Sequence, residues 1–269
     1  MEVAPILTPY FLDQRLPGLD HLAEPGWYVN RPELPEGGVQ RRMSVLYGKL
    51  AAQTAAAVEA NRLPVSLAGD CCTAIGVLGG LQRAGIQPRL LWFDAHGDFN
   101  TWETTPSGFL GGMPLAMLVG RGEQTLMAAN QVDPLEEEKV ILTDGRDLDP
   151  EEGEAVAASG LQHLRDPRDL LQSPLPPGPL WVHFDTDIVD PEEVPAMNYP
   201  APGGPGAEEM KKIFQVLADS GRLRAVSLSS WAPDLDHDGR SERVCLELLS
   251  VLTRKNFSTG EPGTGESQA

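Results

Sequence analysis

Two short acidic segments of the sequence carry side chains of the kind that bind metal ions. The stretch DAHGD places Asp94, His96 and Asp98 at alternate positions, and the stretch FDTDIVDP repeats this spacing with Asp185 and Asp187. In an extended chain, alternate side chains project to the same side. Four carboxylates and one imidazole suit divalent ions such as Mn²⁺, and bridging carboxylates can hold two ions about 3.5 Å apart. We therefore expect a metal site here.

A single aspartate in such a position is more often a helix cap or a turn residue than a metal ligand. Asp190, which precedes a proline, fits that simpler interpretation. Two clusters of ligand-type residues, each at the end of an apolar run, are harder to explain as turns. Buried charges held this close together need compensation, and a bound cation provides it.

The elements that must position these residues are short apolar runs that alternate with helical segments. We predict a first strand within residues 2–11 and further strands at 63–69, 89–94, 139–144, 180–185 and 223–229. Helices are predicted within 37–62 and at 73–84, 113–130, 151–159, 207–220 and 240–253. Strands that are apolar throughout and alternate with helices indicate a parallel sheet covered on both faces.

Four of the predicted strands end in, or just before, an aspartate. These residues are Asp70, Asp94, Asp144 and Asp185. Because functional groups collect beyond the carboxyl ends of parallel strands, we expect all four to line one polar crevice.

The composition excludes several classes of protein. The chain has 269 residues, 41% of them hydrophobic, and a net charge of −18 without a basic cluster, so nucleic acid is not an expected partner. No apolar run approaches membrane-spanning length, and the N-terminal stretch lacks the pattern of a secretion signal. Three cysteines, two of them adjacent, favour a reducing cytoplasm. We expect a single domain over residues 1–255 and a flexible C-terminal tail over 256–269.

Several segments resemble the signatures of the ureohydrolase superfamily, which includes arginase, agmatinase and formiminoglutamase. DAHGDFN and FDTDIVDP are similar to its two main motifs. LAGDCCTAIG resembles its Gly-Gly-Asp-His segment, TTPSGFLGGMPLAML its substrate loop, and SSWAPDLDHDGRS its Glu-Val-Asn-Pro-x-Asp segment. The resemblance implies a three-layer α/β/α sandwich with a mostly parallel eight-stranded sheet and a dinuclear manganese centre. It also implies hydrolysis of a guanidine-type carbon–nitrogen bond by a metal-bridging hydroxide, and a homo-oligomer.

The resemblance also assigns roles to the acidic segments. It makes Asp94, His96, Asp98, Asp185 and Asp187 metal ligands, with Asp94 and Asp185 bridging the two ions. It further makes Asp98 the catalytic carboxylate, which holds the hydroxide and passes its proton to the leaving amine. This chemistry is sensible, because two cations lower the pKa of a bridging water and a nearby carboxylate can then move protons.

Cys71 stands where most relatives have the first histidine ligand. A thiolate is a softer ligand than imidazole, so Zn²⁺ or Fe²⁺ becomes possible at that site beside the expected Mn²⁺. The alternative is a buried structural cysteine with one metal site weakened or empty. A cysteine at this position also resembles the hydroxyarginine-hydrolysing branch of the superfamily. His183 lies where the family usually has serine, and we expect it to pack or to support ligands rather than to bind metal.

The expected substrate is a small molecule with an amino-acid head. Asn100, Thr105 and Ser107 match residues that hold the substrate α-carboxylate in arginases, and Asp149 matches a residue near the α-amino group. Neutral hydrogen-bond donors for a carboxylate, together with an acid for an ammonium, are chemically consistent. Agmatine lacks the carboxylate and is therefore disfavoured.

Four other positions depart from arginase. Gly111 stands where arginases have a loop histidine that shuttles protons, and Ser230 stands where they have the glutamate that pairs with the guanidinium. Phe109 takes the place of an asparagine, and Tyr199 takes the place of a threonine. Losing the partner of a buried charge costs about 3–5 kcal/mol. We therefore expect a less basic or N-substituted guanidine instead of arginine.

Three hypotheses remain from the sequence. The first is a dinuclear metal hydrolase acting on a linear guanidino or amidino amino acid. The second is a catalytically weakened relative that keeps the fold as a binding or assembly protein, which the losses at Gly111 and Ser230 motivate. A histone-deacetylase-like amidohydrolase is disfavoured because its usual paired histidine motif is absent from the sequence.

Overall fold

A computed structural model of the chain describes residues 1–229 and 231–257. The strands are β1 Glu2–Thr8, β2 Tyr10–Phe11, β3 Gln14–Arg15, β4 Tyr28–Val29, β5 Arg62–Ala68, β6 Arg89–Asp94, β7 Val140–Asp144, β8 Gln162–Leu164, β9 Leu180–Asp185 and β10 Leu223–Ser229. The α-helices are α1 Val39–Glu59, α2 Ala74–Arg83, α3 Pro114–Leu118, α4 Thr125–Asn130, α5 Pro150–Ala157, α6 Ala207–Asp219 and α7 Arg240–Thr253.

Eight of the strands form one sheet in the order β4-β1-β5-β10-β9-β6-β7-β8. Every neighbouring pair in this sheet is parallel. The predicted eight-stranded parallel sheet is therefore confirmed. The central strands are largely apolar and almost fully buried because helices cover both of their faces.

Strand β6 illustrates the three layers. Leu90 and Trp92 point into a core that also contains residues of α1 and α2, whereas Leu91 and Phe93 point into a core with residues of α6 and α7. Since successive side chains of a strand alternate between faces, one buried strand contributes to both cores. This arrangement is the predicted α/β/α sandwich.

The predicted helix over residues 113–130 is wrong as a single element. The structure has two short helices instead, α3 and α4. Gly120 and Gly122 separate them with φ values of +83° and +57°, a left-handed conformation that glycine adopts readily and that ends a helix. The predicted first strand also stops early, because β2 leaves the sheet to pair with β3 around Leu12, whose φ is +52°.

The sheet topology brings four strand ends to one place. β5, β10, β9 and β6 are neighbours in the middle of the sheet, although they are far apart in sequence. Beyond their carboxyl ends lie Cys71, Ser229, Asp185 and Asp94, respectively. A parallel sheet in which the strand order changes direction places its binding crevice at this edge.

Two further observations concern the ends of the chain and the membrane. Phe257, inside the predicted tail, is buried and its ring lies 5.6 Å from that of Trp27. The rest of the predicted tail, residues 258–269, lies outside the described residues, as does Ser230. Among the helices that the structure describes, none is both long and apolar enough to cross a bilayer.

Candidate metal centre

Two overlapping groups of ligand-type side chains lie at the central strand ends. Cys71, Asp94 and Asp185 form one group, and Asp94, His96 and Asp187 form the other. Within each group, the candidate ligand atoms all lie within 4.8 Å of one another. Asp94 belongs to both groups, whereas Asp185, the other predicted bridging residue, belongs to one of them. Asp98, also a predicted ligand, belongs to neither group. The acidic segments predicted from the sequence thus do converge in space.

Local hydrogen bonds hold these carboxylates where the strands end. Asp94 accepts from the backbone nitrogen of His96 at 2.7 Å and from Trp92 Nε1 at 3.0 Å. Asp185 accepts from the backbone nitrogen of Asp187 at 3.0 Å. Each aspartate therefore closes a tight turn on the residue two positions later, as short acidic side chains commonly do. The turns bring the second residue of each pair back toward the crevice.

Asp98 is the carboxylate that most needs a cation. It is 93% buried (7% exposed), and its Oδ2 has no hydrogen-bond partner among the described residues. Its φ is +49°, and its backbone oxygen accepts from Leu115 and Ala116 at the start of α3. An unpaired buried carboxylate oxygen is unfavourable unless a positive charge or a hydrogen-bond donor reaches it. The residues present therefore fit a bound metal ion.

The electrostatics of the cluster lead to the same conclusion. Burial and the neighbouring Asp185 raise the pKa of Asp94, and burial together with Asp94 raises the pKa of Asp98 well above its usual value. Burial likewise raises the pKa of Asp187 to about 6. Burial alone would lower the pKa of His96, but the hydrogen bonds of Asp187 and Asp94 raise it to about 12. Carboxylates this close together repel one another when ionised, and a bound cation would stabilise their charged forms.

Cys71 lies inside the first ligand group. Its Sγ donates to Asp185 Oδ2 at 2.8 Å and lies 2.9 Å from Ser229 Oγ. Burial, followed by the charges of Asp185, Asp98 and Asp94, raises the pKa of the thiol well above its usual value. The thiol therefore keeps its proton unless a cation offsets the surrounding negative charge. This position beside Asp94 and Asp185 favours a ligand over a cysteine that only packs.

A buried chain of hydrogen bonds behind Cys71 was not predicted. His183 Nε2 lies 3.3 Å from Ser229 Oγ, and its Nδ1 lies 2.9 Å from Ser227 Oγ. The His183 ring stacks on Trp92 at 3.8 Å, and burial lowers its pKa to about 3, so the ring is neutral. The signal in the sequence was the alternate serines of β10, which are unusual in a fully buried strand. His183 thus supports the ligand group instead of joining it.

The four predicted substrate residues all line a cavity of about 450 Å³ that also contains the ligand candidates. Asn100 Nδ2 donates to Asp149 Oδ2 at 2.9 Å, and Thr104 Oγ1 donates to Asn100 Oδ1 at 2.9 Å. Thr105 and Ser107 lie on the same loop, with their hydroxyl oxygens 3.4 Å apart. The structure therefore places the predicted polar head-binding residues together, at the wall of the metal pocket.

Glu152 is a second residue that sequence reasoning missed. Its side chain is buried and accepts from the backbone nitrogens of Phe99 at 2.8 Å and Asp149 at 3.1 Å. It joins the loop after β6 to the start of α5. Its position three residues after Asp149, in the pattern of a capping box, was the available signal.

Of the four strand-end aspartates, Asp144 does not line the cavity, so the prediction of a common crevice was wrong for this residue. Its carboxylate pairs with Arg146 instead. Arg146 also donates to the backbone oxygens of Asp187 at 2.8 Å and Ala201 at 3.1 Å. Asp70 does line the cavity, and it accepts from the backbone nitrogen of Leu12 at 2.8 Å.

Aromatic rings occupy the part of the cavity where the sequence departs from arginase. Phe109 lies over Gly111 so closely that a Cβ at position 111 would come within 2.3 Å of its ring. Tyr199 and Phe11 line the same cavity. The space that a side chain at position 111 would need is thus filled by Phe109.

Comparisons with known proteins agree with the fold. A family model described as "Arginase family" matches residues 33–253. The arginase of Bacillus subtilis (strain 168) is 31% identical over 247 residues, which cover 85% of this chain and 82% of that protein. The arginase of Agrobacterium fabrum is 34% identical over 264 residues, covering 86% and 80%. A crystal structure of arginase from Bacillus subtilis superposes with a TM-score of 0.81 at 25% identity, covering 96% of this chain and 100% of the other.

Proposed function

The chain belongs to the arginase family of hydrolases, and we propose that it hydrolyses a guanidino or amidino carbon–nitrogen bond of a small, amino-acid-like substrate. The observation that carries this proposal is the pair of ligand groups that share Asp94 at the floor of one cavity. The unpaired oxygen of Asp98 in the same cavity supplies the group that such a reaction needs next to the metal. We place the reaction in the cytoplasm, since three cysteines, two of them adjacent in sequence, do not form the pattern of a disulfide framework.

In this proposal the two ligand groups each hold a divalent cation. Cys71, Asp94 and Asp185 would hold one ion, and Asp94, His96 and Asp187 would hold the other. When bound, such a pair of cations lowers the pKa of a shared water until it is a nucleophile at neutral pH. Carboxylates and imidazole favour Mn²⁺, whereas the sulfur of Cys71 adds a preference for Zn²⁺ or Fe²⁺ at its own site.

We assign proton transfer to Asp98. Its Oδ2 has no hydrogen-bond partner among the described residues, so this oxygen is available to accept a proton from the attacking water. The same oxygen can then deliver that proton to the leaving nitrogen. The bonds from Asp98 O to the start of α3 hold the carboxylate at its unusual φ and limit its movement.

The head of the substrate is held at the wall of the cavity. Thr105 and Ser107 offer hydroxyl groups to a carboxylate, and Asp149 offers a negative charge to an ammonium group. Asn100 already donates one amide hydrogen to Asp149, so its second N–H is the one available for a ligand. The hydrogen bond from Asn100 orients Asp149. The part of the cavity that would hold the substrate head therefore has a carboxylate on one side and hydrogen-bond donors on the other.

Arginine itself is disfavoured as the substrate. Ser230 supplies no carboxylate at the position where arginases pair the guanidinium with glutamate, and Gly111 supplies no imidazole. A substrate whose carbon–nitrogen unit is less basic depends less on such a charge partner, because it can bind in its neutral form.

Elemental analysis of the purified protein, followed by assays of urea or substituted-urea release, tests the proposal. We expect close to two ions per chain and turnover of at least one guanidino or amidino amino acid. Asp94→Asn should abolish both, because this residue serves both ligand groups. Less than one ion per chain, together with no turnover at any metal loading, would refute the hydrolase.

The second candidate is an arginase-fold protein that binds without turnover, which the filled space above Gly111 favours. A variant that restores the lost groups must also replace Phe109, since the Phe109 ring occupies the space that a side chain at position 111 needs. Arginine hydrolysis by the triple variant Phe109→Asn, Gly111→His, Ser230→Glu would show a competent scaffold. Homo-oligomer formation stays a prediction, and light scattering of the purified chain tests it.

A further inference from the structure

We propose that Phe11, Phe109 and Tyr199 form a binding surface for an apolar substituent of the substrate, and we call these residues the aromatic trio. The substrate class is then an N-substituted guanidine or amidine that carries an alkyl or aryl group. This inference rests on the proposed function, because the three rings line the same cavity as the candidate metal ligands.

The rings of the trio form one continuous apolar surface. The centroids of Phe11 and Phe109 are 6.2 Å apart and their planes differ by only 13°. Phe109 also contacts the ring of Tyr199. The centroids of these two rings are 5.5 Å apart and their planes form an angle of 44°. Three rings from β2, the loop before α3 and the loop after β9 thus meet around Phe109, although they are distant in sequence.

The trio does not serve the hydrophobic core. None of its members belongs to, or packs as a partly buried neighbour against, the two core clusters found among the described residues. Phe11 and Phe109 are half-buried, and Tyr199 is 52% exposed. Grouped rings that remain in contact with water are unfavourable by themselves and are typical of a surface that a ligand covers.

The sequence also lacks two polar groups with which arginases act on arginine. Gly111 carries no side chain, and the Phe109 ring lies over it. Ser230 carries no negative charge for a guanidinium. Where charge pairing is lost and ring surface is gained, binding energy must come from burial of apolar surface. An apolar group on the substrate supplies that surface.

The rings could instead bind a cation through their faces, because the cavity also contains several carboxylates. The arrangement favours an apolar group, because two of the rings are nearly parallel, with centroids 6.2 Å apart, and the third ring contacts one of them to extend the same apolar surface. All three guanidines used below are protonated at neutral pH, and agmatine, which carries a second positive charge on its amine, therefore serves as the competing probe.

Calorimetric titration of the metal-loaded chain tests the inference with three probes: benzylguanidine, methylguanidine and agmatine. We expect benzylguanidine to bind about tenfold more tightly than methylguanidine, which is the order of effect for burying one aryl group. Phe109→Ala should weaken benzylguanidine binding about fivefold and leave methylguanidine binding nearly unchanged. Tyr199→Phe should keep the preference, since the ring face and not the hydroxyl makes the contact.

A matched control is Trp102→Ala, which removes an exposed aromatic side chain outside this cavity and should change no affinity. If Phe109→Ala does not fold, Gly111→Ala provides a second route, because its Cβ must displace the Phe109 ring. Equal binding of the two guanidines, equal weakening of both by the variants, or tighter binding of agmatine would overturn the inference.

The failure of this inference can be separated from failure of the proposed function. Metal content and turnover are measured on the same samples. A chain that binds its ions and hydrolyses a substrate but shows no preference for benzylguanidine contradicts only the role of the trio. A chain that binds no ions contradicts the hydrolase, whatever its preference among the probes.

Discussion

Cys71 is the single residue on which the metal preference of this site depends. Its sulfur sits between Asp185 and Ser229 and within one of the two ligand groups. A metal ion bound here by Cys71 would have both sulfur and carboxylate ligands, which is unusual for a site that binds Mn²⁺ alone. The choice between a ligand and a packing cysteine therefore has a direct experimental consequence.

We predict that Cys71→Ser lowers metal occupancy at least several-fold, because a hydroxyl is a poor ligand at neutral pH, whereas Cys71→His preserves or raises manganese binding. Elemental analysis measures the occupancy, and a thiolate-to-cobalt charge-transfer band in the cobalt-loaded protein reports sulfur ligation directly. Cys245→Ala is the control, since this buried cysteine lies in α7. Unchanged metal content and an unchanged cobalt spectrum in Cys71→Ser would place the thiol outside the coordination sphere.

His183 is predicted to act on the metal only through Ser229 and Cys71. Replacing it by phenylalanine keeps a ring against Trp92 but removes the nitrogen that contacts Ser229. Residues that orient metal ligands typically change metal affinity about 10–100-fold. We expect His183→Phe to weaken binding at the Cys71 site in this range, as measured by competition with a chelator, while binding at the His96 site changes less. Equal loss at both sites would indicate general damage to the fold.

At the scale of secondary structure, the site depends on how separate strand ends are tied together. One such connection is Arg146, whose side chain is mostly buried and joins the end of β7 to the segments after β9. It pairs with Asp144 and holds the backbone oxygen of Asp187, a candidate ligand. This one guanidinium therefore links a strand that contributes no ligand to one that does.

We predict that Arg146→Met destabilises the protein by about 3–5 kcal/mol, because it leaves the buried carboxylate of Asp144 without its partner. Metal affinity should fall as well, since the Asp187 segment loses its anchor. Thermal and urea unfolding measure the first effect, and metal titration the second. Arg168→Ala is the control, because its ion pairs with Asp166 and Glu209 are exposed to solvent and should contribute little to the free energy of unfolding. Similar losses in both variants would refute the special role of Arg146.

Some strands and helices could be predicted from the sequence and others could not. The central strands were predictable because a fully apolar run of five to seven residues between turns is distinctive. β4 and β8 were not, since two or three residues show no periodicity. The break between α3 and α4 depends on Gly120 and Gly122, and glycine within a helical pattern is only a weak signal.

The same distinction holds for the candidate site. Asp94, His96 and Asp98 could be proposed because their spacing is local and their chemistry is distinctive. The partners of His183 depend on the register between β9 and β10, which the sequence does not reveal. The aromatic trio combines residues about 90 positions apart along the chain, so only the folded protein brings them together.

At the scale of the whole molecule, the dominant property is negative charge. The net charge is −18, and part of this charge is concentrated in the buried aspartates of the metal centre. Folding without metal therefore forces like charges together in a region of low dielectric constant. Bound cations remove this penalty only in the folded state, so metal binding and folding are coupled.

We predict that removal of metal lowers the melting temperature strongly and reversibly. A ligand at a concentration 1,000 times its dissociation constant contributes about 4.1 kcal/mol to the free energy of unfolding, and for a chain of this size each kcal/mol corresponds to roughly 2–4 °C. A shift of roughly 10 °C or more is therefore expected between chelated and reloaded protein, measured by calorimetry. Asp94→Asn should eliminate the shift, because both ligand groups share this residue, whereas Asp147→Asn, an exposed carboxylate at the cavity rim, should retain most of it. A shift of the same size in Asp94→Asn would mean that the ions bind elsewhere, and the carboxylates at the sheet edge would then need a different explanation.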